Sequence, residues 1–63
     1  MTPKQCRKAC QSVGWPMREL AERSGVFLSA ISCYERELRP LAPDRIEKVR
    51  KAFADARIDV DAL

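Results

Sequence analysis

The sequence predicts a small all-α domain of four helices followed by a short C-terminal tail, and three observations carry that expectation. Apolar residues recur at helical spacing in separate stretches, the first being Cys6, Ala9, Cys10 and Val13. Helix-opening chemistry precedes these stripes at Thr2-Pro3-Lys4-Gln5, at Pro16 and at Pro43-Asp44. The only two glycines, Gly14 and Gly25, fall where one stripe ends and the next begins. A chain of 63 residues has room for one core and no second domain.

Thr2 suits the N-cap, Pro3 the first helical position, and Gln5 the position that closes a capping box. The first helix then runs to Gly14. A second, short helix starts after Pro16, with Leu20 and Ala21 on its inner side, and Ser24-Gly25-Val26 breaks it after about two turns. The third spans Leu28 to Glu37 with Ile31, Tyr34 and Leu38 inward. Pro40 and Pro43 punctuate a loop, and the fourth helix carries Ile46, Val49, Phe53 and Ala56 on its stripe. Leu20, Ile31, Val49 and Phe53 are expected to meet in one core. The tail, Ile58-Asp59-Val60-Asp61, alternates with period two and fits either a short strand, as a fifth element, or a frayed end.

Composition narrows the function. With no His, no phosphate-cradling glycine loop and no paired acidic motif, the chain is not expected to be an enzyme or to hold a cofactor. No apolar run is long enough to span a bilayer, and Met1 to Cys6 lacks a signal-peptide core. Three cysteines cannot all pair, and Cys6-x3-Cys10 without a second Cys or His pair leaves tetrahedral zinc short of ligands. Buried, reduced thiols in a cytoplasmic protein are the expectation. The net charge is +3, with Lys4, Arg7, Lys8 and Arg18 unopposed in the first 18 residues and Asp55, Asp59 and Asp61 near the end. The basic end could face a polyanion, with the acidic tail pointing away from it.

The most informative stretch is Glu19-Leu20-Ala21-Glu22-Arg23-Ser24-Gly25-Val26, followed by Ile31-Ser32 and Tyr34-Glu35. Two short helices that cross through a tight turn need a small residue where they approach, a glycine in the turn and apolar plugs in the angle. Ala21, Gly25, and Leu20, Val26 and Ile31 supply these. With the capped first helix, Gly14-Trp15, the Pro-containing loop and the fourth helix, the sequence resembles the helix-turn-helix DNA-binding family of phage repressor and Cro type, the XRE family. The likeness covers nearly the whole chain, with residues 1–57 as the DNA-binding domain and 58–63 as the tail.

The resemblance implies a transcriptional regulator that binds double-stranded DNA through the third helix, as a homodimer on a two-fold operator. The second helix would present its N-terminal amides at Met17 and Arg18 to a phosphate. Phe27, Leu28, Ser29, Ser32 and Cys33 would face base edges, and Arg36 and Arg39 would hold phosphates. Ile58, Val60 and Leu63 are the expected exposed apolar residues of a dimer contact.

Three positions depart from the family pattern. Met17 stands where many members have a Gln that reinforces the phosphate clamp. Cys10 stands where many have an Arg paired with the glutamate at position 35, so Glu35 must find another partner or stay solvated. From Ser24 to Tyr34 there is no charged or amide side chain, which removes bidentate readout of guanine or adenine and leaves thymine-methyl contacts, hydroxyl bonds and shape. An exposed Phe27-Leu28 pair has a second explanation, a contact with a protein partner that would make the domain an antiactivator or regulatory adaptor, and a third, Phe27 folding back to join the core.

Overall fold

The computed structural model describes residues 1–63, as four α-helices and a closing 3₁₀ turn, with no strand. Helix α1 spans Pro3–Val13, α2 Met17–Ser24, α3 Leu28–Glu35 and α4 Pro43–Asp55, and the 3₁₀ turn covers Val60–Ala62. No helix is long and apolar enough to cross a membrane.

Helix α1 opens through the capping box expected at Thr2. The Gln5 amide donates to Thr2 Oγ1 at 3.2 Å, and the Thr2 amide donates to Gln5 Oε1 at 2.8 Å. Gly14 ends it in the left-handed region at φ 72°, and the Trp15 amide reaches back to the Cys10 carbonyl at 2.9 Å. Gly25 does the same for α2 at φ 73°. The turn is fastened by Ser24, whose Oγ accepts from the Val26 amide at 3.3 Å.

The core is one apolar cluster to which every helix contributes. Leu20 of α2 and Val49 and Phe53 of α4 are wholly buried, and Ile31 of α3 and Cys6 of α1 are nearly so, joined by Ala9, Cys10, Val26 and Tyr34. Trp15 stacks on Phe53, ring centroids 5.6 Å apart. The guanidinium of Arg23 covers the other ring system at 4.6 Å from the Trp15 centroid, held by Glu19 at 2.9 Å one turn earlier. Leu41, in the loop before α4, is buried as well and seals the cluster from that side.

The third helix is shorter than its sequence suggests. It stops at Glu35 because Glu37 adopts φ 59°, closing a Schellman cap: Glu37 N–H donates to Tyr34 O at 3.0 Å and Leu38 N–H to Cys33 O at 2.8 Å. Leu38 therefore turns outward and is 62% exposed, where the helical stripe placed it inside. Arg57, at φ 62°, closes α4 identically, with the Ile58 amide bonded to Phe53 O at 2.9 Å. Neither cap has a glycine to announce it.

The tail is neither a strand nor frayed. Arg57 reverses the chain so that Val60 enters the core, 3% exposed, and Ile58 packs half-buried against it. Gln5 Nε2 donates to the carbonyls of Asp61 at 3.1 Å and Leu63 at 3.3 Å. The Asp61 carboxylate bridges the Met1 ammonium at 3.1 Å and the Arg50 guanidinium. Asp61 of the tail thus lies against the start of α1 and against α4, and pairs with none of Lys4, Arg7, Lys8 and Arg18. Val60 is unavailable as a dimer contact and Ile58 largely so, because the fold itself consumes their apolar surface; Leu63 alone remains exposed, at 42%.

Two outcomes follow for stability. Glu37→Gly removes left-handed strain and is expected to raise the unfolding free energy by about 0.5–1 kcal/mol, net of glycine's greater chain entropy. A lower urea midpoint would show that the Glu37 side chain holds something this cap needs. Deleting residues 58–63 withdraws Val60 from the core and should cost about 2 kcal/mol or more. An unchanged midpoint with an altered sedimentation coefficient would return the tail to the role of a subunit contact.

Candidate functional site

At about 100° per residue, the eight residues of α3 form two arcs with Ala30 at the border between them. Ile31, Tyr34 and Glu35 fall together and are buried. Leu28, Ser29, Ser32 and Cys33, with Arg36 one step past the helix end, occupy the opposite arc of about 140°. Leu28, Ser29 and Arg36 are exposed there, and Ser32 and Cys33 are half-covered. Phe27, just ahead of the helix, is 75% exposed and Leu28 is 45% exposed. The residues expected to face a ligand from α3 do share one outward surface.

Two shallow hollows flank that surface. One, of about 370 Å³, is lined by Phe27, Ser29 and Cys33 on one wall and by Arg39 and Arg45 on the other. The second, of about 390 Å³, lies between the start of α2 and the start of α3, with Arg18, Glu22, Phe27 and Leu28 around it. Phe27 belongs to both, so a ligand on α3 would meet Arg18 on one side and Arg39 and Arg45 on the other. Arg45, on α4, lies outside the stretch of sequence that pointed to α3. The proline loop 40–43 brings it here. Ser32 lines neither hollow.

The start of α2 is open. Pro16 offers no side chain to cap it, and its carbonyl accepts from the Glu19 and Leu20 amides at 3.0 and 3.2 Å. The amides of Met17 and Arg18 have no partner within the chain, and both residues are exposed. Free helix-opening amides beside an arginine make a favourable place for an anion. Met17 adds no polar group to it.

Glu35 faces the other way. Its side chain is buried at the end of α3 against Cys6 and Cys10 of α1, and the three potential ligand atoms lie within 4.8 Å of one another. Oε2 is shut off from solvent and has no hydrogen-bond partner, and no ion pair reaches the carboxylate. Of the two fates open to this residue in the sequence, a new partner or solvation, the structure gives it neither. Burial holds its carboxyl above the usual range, with Arg7 pulling the other way. Its neighbours feel it: the hydrogen bond with Cys10, burial and the Glu35 charge all push the Cys6 thiol up. Cys10 is lowered, because Cys6 hydrogen-bonds to its sulfur. Burial also raises the Tyr34 phenol, whose hydroxyl donates to the Met1 carbonyl at 3.2 Å.

Comparison with protein-family models, with curated proteins and with solved structures found no match to this chain.

The buried carboxyl predicts a pH dependence. A folded-state pKa raised above the ordinary 4.5 means that folded protein keeps the proton when unfolded chain has released it. The contribution is complete below 4.5 and is lost as pH rises through the raised folded value. In chelator and reductant, wild-type stability should fall with pH across that window, and Glu35→Gln should flatten the fall. Equal slopes for the two proteins would place Glu35 in solvent.

Proposed function

We propose that this chain is a DNA-binding transcriptional regulator of the helix-turn-helix, repressor-and-Cro kind, reading duplex DNA with the outer arc of α3. The observation that carries this is the flanking of that arc by positive charge: Arg18 in one hollow, Arg39 and Arg45 in the other, Arg36 at the helix end. A helix seated in a major groove about 12 Å wide needs contacts to both sugar-phosphate walls, and arginines on two sides of the arc support that reading. The unpartnered Met17 and Arg18 amides add a phosphate contact. Phe27 and Leu28 would meet thymine methyls, and Ser29, Ser32 and Cys33 would supply weak polar contacts. With so few direct readers, shape and deformability of the site would contribute much of the specificity. A domain of this size makes few contacts alone, so binding as a dimer on a two-fold site accompanies the proposal. The tail supplies no more than Leu63 to that pairing.

The 75% exposure of Phe27 beside exposed Leu28 favours a second reading, in which the same arc docks a regulatory protein. Titration of labelled duplex from upstream of the chain's own coding sequence, against scrambled duplex at several salt concentrations, separates the two. Arg39→Ala and Arg45→Ala should weaken binding to every sequence alike and each reduce the log–log salt slope by about 0.9. Phe27→Ala and Ser29→Ala should instead change which sequence is preferred. Salt-insensitive or absent DNA binding, together with nuclease-resistant capture of a protein that Phe27→Ala abolishes, would replace the DNA reading with the second.

A further inference from the structure

We infer that Cys6, Cys10 and Glu35 form a site for a thiophilic divalent cation of the zinc class, joining α1 to the end of α3. Cysteines four apart on a helix present both sulfurs on one face, the same spacing by which paired histidines on a helix grip zinc. That spacing supplies two ligands, and the fold brings the third. Glu35 is 5% exposed, and its Oε2 atom, closed to solvent, is without a partner. A buried carboxylate with no hydrogen-bond donor and no ion pair is an expensive arrangement unless it keeps its proton or something cationic meets it. All three ligand atoms already lie within 4.8 Å of one another. Ligands around a tetrahedral ion with metal–sulfur bonds near ~2.3 Å sit roughly 3.5–3.8 Å apart, so small side-chain rotations close the site.

The donor set decides the ion. Two sulfurs and one carboxylate oxygen suit zinc and its relatives over magnesium or calcium, which take oxygen alone. Three protein ligands leave a fourth position for water or an incoming ligand, so the ion would be exchangeable. On binding, the Cys6 and Cys10 thiols each release a proton to solvent, and Glu35 releases its own if it holds one. Two thiolates and a carboxylate then carry −3 against the +2 of the ion, beside the Arg7 positive charge. Cys33 stands on the outer arc of α3, outside this cluster, and serves as the internal control. The site does not depend on what the outer arc of α3 binds.

The test is Co²⁺ titration of the full chain under a non-thiol reductant, with folding checked by circular dichroism. Wild type should take up one equivalent with thiolate-to-cobalt charge-transfer absorption that Zn²⁺ displaces, and Cys33→Ser should match it. Cys6→Ser, Cys10→Ser and Glu35→Gln should each weaken binding about tenfold or more. Saturating Zn²⁺ should raise the thermal midpoint of wild type by on the order of 10 °C and leave that of Glu35→Gln nearly unchanged. Folded wild type with no cobalt–thiolate band would overturn the site. So would a band that survives in folded Glu35→Gln at full affinity, or one that disappears in Cys33→Ser.

Discussion

Burial of Phe53 is the constraint on which the rest of this structure depends. A chain this short hides little apolar surface, so one large side chain at the centre counts for much. Phe53 is wholly buried and takes the stacked ring of Trp15, over which Arg23 from the last turn of α2 lies. The Phe53 carbonyl also receives the amide of Ile58, so the same residue governs the turn that carries the tail back to the core. Helix α2 packs on α4, which carries Phe53, and α3 packs in turn on α2.

Given that anchor, helical period divides most of α3. With Ile31 and Tyr34 facing the cluster, Ser29, Ser32 and Cys33 face outward, while Leu28 and Glu35 lie side by side at the boundary, where packing against α1 buries Glu35 and leaves Leu28 exposed. A cation opposite position 35 would neutralise the charge, and Cys10 cannot provide one. The carboxyl is left between two thiols, its proton held more tightly by burial. Removing the buried side of α3 from water thus creates a chemically distinct cluster directly behind the surface that is free to bind.

Charge follows the same logic of placement over count. The net of +3 is unremarkable for a small helical domain, and two of the bases are paired within the fold, Arg23 by Trp15 and Glu19, Arg50 by Glu47 and Asp61. Arg18, Arg36, Arg39 and Arg45 are not used this way. They stand around the outer arc of α3, and their proximity arises from a helix end, a reversal at Glu37 and a proline loop. No local pattern relates Arg18 to Arg45.

The sequence by itself determined the all-α class, the capping box of Thr2 and Gln5, the stops at Gly14 and Gly25, and the burial of Leu20, Ile31, Val49 and Phe53. These depend on neighbours within one or two turns, where side-chain chemistry and helical period act directly. The outer residues of α3 were expected from the resemblance, and the stripe read from period for that helix wrongly took in Leu38. Only the tertiary structure decided that α3 stops at Glu35 and that α4 ends through Arg57, since left-handed caps without glycine are stabilised by hydrogen bonds to the preceding turn and leave no compositional mark. It alone buried Val60 and tied Gln5 and Asp61 together across 56 positions of chain. It alone set Arg45 beside Phe27 and Glu35 beside Cys6 and Cys10. Each of those depends on surfaces that meet only after the helices have packed around Phe53, and distance along the chain hides that meeting from any reading of local pattern.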